Sequence, residues 1–340
     1  MDKSLLQLKQ LVTDGQPSFG VFDKVEQVNY LDYHSYKLSN KAVASWRKKL
    51  KSNQFCFLQI VAAPYRVCFA VATLNWVTSS FCYLYNQKTD KLELVEALQP
   101  FTRHTQFNQS TYQDDIRFKS HKLTIEMAFT LTGLQIKIDS SILKLTANLV
   151  RFALPLAVCT QTGKKGWTYT QKEPMRVQTG ELTSNQVNQD LQEAHALLDW
   201  SVGYMRRLTN WYWTSITTNL PTGEHFAINL ATGVNESGAS ENACWVDGVR
   251  YHLPAVMFNR GNTIKEDWTV SNQVLNWSKV KIDLTFTPIN CYQKNNRFVV
   301  VDSIFEQWLG YYTGMIELDD GNVITLDKVM GLAEDHYAKW

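Results

Sequence analysis

A succession of short apolar runs, each bounded by turn residues, is the feature that most limits what this chain can fold into. Between Phe55 and Val150 the runs are FCFLQIVA, RVCFAVATLNW, SSFCYLYN, KLELVEAL, HKLTIEMAFTL, LQIKIDS and ILKLTANLV. In KLTIEMAF, apolar and polar residues alternate, which is typical of a strand with one buried face. The pattern therefore predicts a meander of antiparallel strands rather than βαβ units.

The second half of the chain resumes this pattern after a segment that contains glycines and Pro174. This segment, Thr160 to Thr183, separates two strand-rich halves, so we expect two domains, residues 1–165 and 166–340. Predicted hairpin turns lie at Asp247-Gly248, Asn295-Asn296 and Asp320-Gly321, because such pairs adopt positive φ angles readily. The expected fold class is mainly β, with two antiparallel barrels or sandwiches and a few short helices.

Three segments are predicted to be helical. Leucines at helical spacing favour a short helix that ends near Gln16, and SNKAVASWRKKLKSN favours a second helix, capped by Ser39 or Asn40. The third segment, SNQVNQDLQEAHALL, is predicted to form one or two turns. We interpret the basic cluster of the second helix as a solvated face.

Composition narrows the classes of partner and cofactor. The 34 basic and 32 acidic residues nearly balance, so net charge predicts neither a nucleic acid nor an anionic membrane as partner. The six cysteines show no metal-ligand spacing, which predicts free thiols, no metal and no cofactor. No apolar run is long enough for an integral membrane segment or a signal peptide, so we expect a cytoplasmic protein. The oligomeric state is left open.

Several motifs, in order, resemble the bacterial domain-of-unknown-function family 2804. They are GVFDK, YTQK, TGEL, LDWSVG, NWYW, INLATG, ENACWVDG, QWLGYYTG and GLAEDHYAKW, and they span nearly the whole chain. That family is distantly similar to the lipocalin-like group of carotenoid hydratases and AttH. The resemblance implies two tandem lipocalin-like (calycin-like) β-barrels, and it implies no established activity. Other members tend to have an apolar residue where this chain has His225, so any role of His225 would be particular to this chain.

The stretch from Leu197 to Trp245 concentrates aromatic and ionisable residues. Strand alternation places Trp211 and Trp213 on one face of one strand, and His225 and Asn229 on one face of the next. If this partly polar face lines a barrel lumen, it has the composition of a small-molecule site; otherwise the rings fill the interior and His225 meets solvent. The candidate ligand-binding residues are Trp200, Trp211, Trp213, His225, Asn229, Asn242 and Trp245.

Three carboxylates among apolar residues are candidate catalytic acids: Glu241, Asp199 and Glu334. Burial in an aromatic cavity raises the pKa of a carboxyl group and suits it to donate a proton, whereas a structural carboxylate accepts backbone N–H groups or pairs with Arg206 or Arg207. The dispersed histidines His225, His252 and His336 do not have metal-ligand spacing. Sequence motifs of serine hydrolases, P-loop proteins and dinucleotide-binding proteins are absent.

Two functional hypotheses follow. The first is a lipocalin-like protein that binds a hydrophobic small molecule, an isoprenoid or acyl lipid, in an aromatic-lined barrel cavity. The alternative is an enzyme of the hydratase or cyclase type, in which a buried carboxylic acid protonates an unsaturated lipid and the Trp faces stabilise the carbocation.

The C-terminal motif GLAEDHYAKW is predicted to pack against the protein. We expect a barrel-closing strand at about Val329 to Glu334, after which the chain turns inward and Trp340 covers an apolar patch. A helical stripe through Leu332, His336 and Trp340 is the alternative for the same residues.

Overall fold

A computed structural model describes residues 6–34, 42–74, 76–185, 187–234, 237–261, 263, 266–272, 278–297 and 302–339. The chain divides into two compact units, Met1–Met205 and Arg206–Trp340, which we call unit 1 and unit 2. Both are built almost entirely from antiparallel strands, which confirms the predicted mainly β class.

Unit 1 contains eighteen described strands, one α-helix and one 3-10 helix. The 3-10 helix is Tyr30–Asp32 and the α-helix, α1, is Ser45–Lys51. The strands are β1 Gln7–Gln10, β2 Val12–Thr13, β3 Gln16–Pro17, β4 Gly20–Phe22, β5 Lys24–Gln27, β6 Asn53–Ala62, β7 Tyr65–Leu74, β8 Val77–Asn86, β9 Lys91–Pro100, β10 Thr105–Gln106, β11 Asp115–Lys119, β12 Leu123–Phe129, β13 Gly133–Ser140, β14 Leu143–Arg151, β15 Leu156–Thr162, β16 Gly166–Ser184, β17 Asn188–Asp190 and β18 His195–Gly203.

One large curled sheet of fourteen strands forms most of unit 1, and the pairs β1-β5 and β2-β3 form two small sheets. Its main path runs β10-β11-β12-β13-β14-β16-β18-β6-β7-β8-β9; β15 and β17 pair with β16, and β4 pairs with β15. The two ends of the path approach each other, because Gln99 Nε2 in β9 donates to the carbonyl of Lys119 in β11 at 2.7 Å. Alternate side chains point into a continuous hydrophobic cluster that includes Phe69, Phe118 and Trp200.

Unit 2 is a second curled sheet. Its strands are β19 Leu208–Asn219, β20 His225–Thr232, β21 Ala243–Val246, β22 Val249–His252, β23 Met257–Asn259, β24 Trp268–Ser271, β25 Lys281–Arg297, β26 Asp302–Glu317 and β27 Val323–Lys339. The order is β22-β21-β20-β19-β27-β26-β25-β24-β23. Its own hydrophobic cluster includes Ile216, Ile228, Trp268, Phe286 and Tyr312.

Of the predicted helices, only the one now seen as α1 is present. Its N-cap is Ala44 without a side-chain hydrogen bond, and Ser39 and Asn40 lie outside the described residues. The helix predicted before Gln16 is wrong: β2 and β3 form a hairpin there. The turns predicted after Ser184 are also wrong, because β17 pairs with β16. In both places strand pairing overrides the local apolar spacing.

Two of the three predicted hairpin turns are confirmed. Asp247-Gly248 joins β21 to β22, and Asp320-Gly321 lies between β26 and β27. The turn predicted at Asn295-Asn296 is wrong, because both residues continue β25 and lie opposite Ile304 and Ser303 of β26.

The C-terminal strand is longer and more central than expected. β27 runs to Lys339 and lies between β19 and β26, so it is an interior strand of its sheet and does not turn inward after Glu334. The helical alternative is wrong for the same reason. Trp340 lies outside the described residues.

Candidate functional site

The two faces of the unit 2 sheet differ in chemistry. Backbone register places Trp213 opposite Glu334, Trp211 opposite His336, and Ser215 opposite Asn229. These residues share one face, as the sequence predicts. The opposite face supplies the unit's own hydrophobic cluster. The predicted lining of the barrel lumen by these residues is therefore not observed in unit 2. The mixed aromatic and polar side chains lie on the sheet face directed away from the hydrophobic cluster of unit 2.

Glu334 is the centre of this mixed face. It is buried in β27, and its two carboxylate oxygens accept hydrogen bonds from two neighbouring strands. Gln307 Nε2 donates to Oε1 at 2.6 Å, and Trp211 Nε1 donates to Oε2 at 3.2 Å. Glu334 is therefore a hydrogen-bond acceptor for both strands that flank β27.

His336 lies two residues farther along β27 and extends the same face. Its ring centroid is 4.0 Å from that of Trp211 and 5.0 Å from that of Phe305, and Ser303 Oγ is 3.0 Å from its Nε2. Burial lowers the pKa of His336 from 6.5 to about 3, since desolvation disfavours the imidazolium. At neutral pH the residue is an uncharged ring, so it contributes an aromatic wall rather than a cation. We call Trp211, Phe305, Glu334 and His336 the Glu334 cluster.

A second group of candidate residues forms a structural chain of hydrogen bonds. Trp213 Nε1 donates to Asn229 Oδ1 at 2.8 Å, and Asn229 Nδ2 donates to the carbonyl of Glu241 at 2.8 Å. Asn242 accepts from the amide of Ala231 and donates to the carbonyl of Pro254. These amides therefore fasten the segment before β21 to β20. Glu241 itself is buried.

His225 and Trp245 are buried in β20 and β21. The Nε2 atom of His225 lies 2.9 Å from Thr217 Oγ1, and its backbone amide donates to Asp247 Oδ1. The solvent position considered for His225 is therefore wrong. The bond to Asp247 ties the start of β20 to the β21–β22 turn, to which Asp247 belongs.

Asp199 and Trp200 lie in unit 1, on opposite faces of β18. Trp200 is inside the hydrophobic cluster, where its Nε1 donates to Asn108 Oδ1 at 2.9 Å. Asp199 forms an ion pair with Lys172 on the adjacent strand β16, and Ser201 Oγ is 3.4 Å from its Oδ1. For Asp199, Lys172 takes the place of the expected partner Arg206 or Arg207.

Sequence reasoning missed a buried ionic network in unit 1. Glu173 is fully buried, pairs with Arg151, and accepts from Gln171 Nε2 at 3.0 Å. Tyr169 donates to Gln171 Oε1 at 3.0 Å, while the Arg151 guanidinium lies 4.4 Å from the ring centre of Tyr112. Burial raises the pKa of both tyrosines, and the charge of Glu173 raises it further. The available signal was the polar pair Gln171 and Glu173, at alternate positions on the strand face that otherwise carries Trp167, Tyr169, Met175 and Val177.

In the described part of the chain, no group of three His, Cys, Asp or Glu side chains is arranged to hold a metal ion. All six cysteines are free thiols. No described helix is both long and apolar enough to cross a bilayer.

Comparison with known proteins identifies the family. The family model for the domain of unknown function DUF2804 matches residues 24–340. The chain belongs to the DUF2804 family. No functionally curated protein matches it. This result confirms the resemblance that the sequence motifs indicated.

Several solved structures are similar to this DUF2804 protein in fold. A Nitrosomonas europaea protein described as AttH matches with a TM-score of 0.52 and 11% identity, covering 90% of this chain and 99% of that one. CghA matches with a TM-score of 0.53 and 10% identity, covering 98% and 97%; CghA with Sch210972 matches with 0.53 and 11%, covering 99% and 98%. At such identity the likeness shows the fold alone, and that fold is lipocalin-like, as predicted.

Proposed function

We propose that this DUF2804 protein binds a hydrophobic small molecule, an isoprenoid or acyl lipid, against the Glu334 cluster. The observation that carries the proposal is the arrangement of three half-buried rings, those of Trp211, Phe305 and His336, around one buried carboxylate. Small-molecule sites typically combine apolar and aromatic walls with a few directional polar groups.

The chemistry of the cluster favours a ligand with an apolar body and a hydrogen-bond donor. The rings offer apolar surface, because His336 is uncharged at neutral pH. Glu334 supplies a hydrogen-bond acceptor beside these rings, as its bonds from Gln307 and Trp211 show. An isoprenoid alcohol combines an apolar body with a hydroxyl donor of the kind that a carboxylate binds. The structure of CghA with Sch210972 supports the proposal at the level of the fold only.

The alternative, proton donation to an unsaturated lipid, requires a carboxyl group that carries its proton. Glu334 already accepts hydrogen bonds from Gln307 and Trp211, and Asp199 forms an ion pair with Lys172. Glu241 is the remaining candidate for the acid. These contacts favour binding over catalysis.

Ligand binding tests the proposal directly. Protein purified without detergent is analysed by native mass spectrometry, then delipidated and titrated with cis-parinaric acid and farnesol. We expect Trp211→Ala to weaken the binding of both probes by about tenfold or more, as for a central aromatic contact. Glu334→Gln should weaken the binding of farnesol more than the binding of farnesyl methyl ether, which lacks the hydroxyl donor. Tyr337→Ala is the matched control, because Tyr337 lies on the same strand but on the opposite face.

Binding and catalysis give different outcomes in this experiment. Wild-type protein that retains no apolar molecule and binds neither probe contradicts the proposed function. A probe recovered with the added mass of one water supports the hydratase alternative instead. Glu241→Gln then identifies the acid if it abolishes that product while binding persists.

A further inference from the structure

An exposed aromatic pair marks one surface of unit 1. Trp76, between β7 and β8, is 50% exposed, and Phe101, directly after β9, is 49% exposed. Their ring centroids are 5.8 Å apart at an interplanar angle of 71°, and the amide of Phe101 donates to the carbonyl of Trp76. Leu98 of β9, 42% exposed, lies three residues before Phe101. Large apolar side chains held together in water are unusual unless they meet a partner.

Basic side chains adjoin this pair. Gln99 bonds to the carbonyl of Lys119, and the amide of Lys119 bonds to the carbonyl of His104, so the segments 101–105 and 119–122 are neighbours. Between them lies a cleft of about 560 Å³ lined by Leu98, His104, Lys119, His121 and Lys122, together with Glu96 and Gln99. Arg103 is exposed beside it.

Helix α1 adds further basic side chains to this part of unit 1. It ends at Lys51, two residues before β6, and the first residue of β6, Asn53, pairs with Leu74 at the β7–β8 turn that carries Trp76. The helix sequence SWRKKLK contains four basic residues, and its Trp46 is 60% exposed with the Arg47 guanidinium 4.9 Å from the ring centre.

Local charge differs sharply from the balanced total. The segments 45–52, 74–77, 96–105 and 119–122 together contain seven Lys or Arg residues and one acidic residue, Glu96, whereas the whole chain has a net charge of only +2. A merely solvated face does not account for the exposed Trp46 on the same helix.

We propose that this surface of unit 1, defined by Trp46, Trp76, Leu98, Phe101 and the adjacent basic residues, docks on an anionic lipid bilayer. Trp residues favour the interfacial region of bilayers, and Lys and Arg residues are attracted by acidic head groups. An aliphatic Leu98 and two rings packed edge to face suit insertion among acyl chains; single-stranded nucleic acid instead needs open ring faces for stacking. The docking surface lies in unit 1 and does not depend on the ligand site proposed for unit 2.

Vesicle co-sedimentation of the full chain tests this docking. Vesicles contain either phosphatidylcholine alone or phosphatidylcholine with one-quarter phosphatidylserine. We expect partitioning onto the anionic vesicles that weakens as salt is added. Since one basic residue near such a surface contributes about fivefold, Lys119→Gln with Lys122→Gln should lower the partition coefficient by roughly 25-fold. Trp76→Ser with Phe101→Ser should lower it on the same vesicles, while a melting curve checks that the variant is folded.

Matched controls lie at other turns of the same sheet. Leu131, in the β12–β13 turn, is 69% exposed, and Lys88, in the β8–β9 turn, is also exposed. Leu131→Ser and Lys88→Gln should leave partitioning unchanged. Equal losses for these controls, or wild-type protein that stays in solution with anionic vesicles, would overturn the proposal. So would tighter binding to an oligothymidylate than to vesicles, or self-association abolished by Trp76→Ser with Phe101→Ser.

Discussion

Glu173 carries a negative charge into the interior of unit 1, and Arg151 reaches it from the end of β14. The side chain of Glu173 is 1% exposed and that of Arg151 is 11% exposed, so water screens this pair little. An ion pair of this kind adds little net stability over an apolar pair, but removing one partner leaves an uncompensated buried charge.

We predict that Arg151→Met lowers the free energy of unfolding by about 3–5 kcal/mol, because Glu173 then stays buried without its partner. The double variant Arg151→Met with Glu173→Leu should recover most of that loss. Urea denaturation followed by tryptophan fluorescence measures both. The control is Arg117→Met, which breaks the exposed pair with Asp115 and should cost less than about 1 kcal/mol. A double variant as unstable as the single one would show that the pair stabilises more than it costs.

At the residue scale, sequence predicted which side chains share a face but not which ones meet. Period-2 alternation placed Trp211 and Trp213 together correctly. The contact between Trp211 and Glu334 joins residues 123 positions apart and depends on β19–β27 register, which no local pattern encodes. Arg151 and Glu173 were missed for the same reason, because they meet only through the pairing of β14 with β16.

Among the elements, β26 contains a backbone irregularity that only glycine accommodates. The register with β27 shifts between Tyr312 and Gly314, and Gly314 has a φ of 138°. A Cβ atom at this position would lie 2.1 Å from the carbonyl oxygen of Asp283 on β25. Strain from φ and a steric clash therefore coincide at Gly314.

A comparison of Gly314 with Gly223 separates backbone strain from the steric clash. Gly223, in the β19–β20 turn, also has a positive φ, 103°, but a Cβ atom there meets nothing within 4 Å. We predict that Gly223→Ala costs about 1–3 kcal/mol from backbone strain alone, whereas Gly314→Ala costs clearly more because β25 must move. Urea midpoints of the two full-length variants give the comparison. Equal shifts would mean that the sheet absorbs the clash.

The type of an element was predictable where the hydrophobic periodicity was long and regular, as in β12. The prediction failed where pairing with distant strands determined the structure. Leu11 and Val12 have helical spacing with Leu8, yet both are buried in the core of unit 1 beside the β2–β3 turn. Asn295 and Asn296 have turn propensity, but β25 and β26 continue past them as one ladder. A two-residue signal cannot outweigh the hydrogen bonds of two long antiparallel strands.

At the scale of the whole molecule, the compact units divide after Met205, whereas the sequence boundary was placed between residues 165 and 166. That boundary falls in the turn between β15 and β16. β16 pairs with β14, β15, β17 and β18, and β18 pairs with β6, so these strands lie in the middle of the unit 1 sheet. Glycine content indicated a linker, but here it marks a hairpin within one sheet.

Fragments that end at the two boundaries should therefore behave differently. A fragment of residues 1–165 lacks β16 and β18, which separates β14 from β6 and exposes the apolar face that Trp167, Tyr169 and Trp200 fill in unit 1. Residues 1–205 keep every strand of the sheet. We predict that 1–205 is monomeric and shows cooperative thermal unfolding by circular dichroism, while 1–165 aggregates or unfolds without a transition, because unpaired strand edges and exposed core associate. Cooperative unfolding of 1–165 would instead support a domain boundary between residues 165 and 166. In that case β16 would add to a sheet that is stable without it.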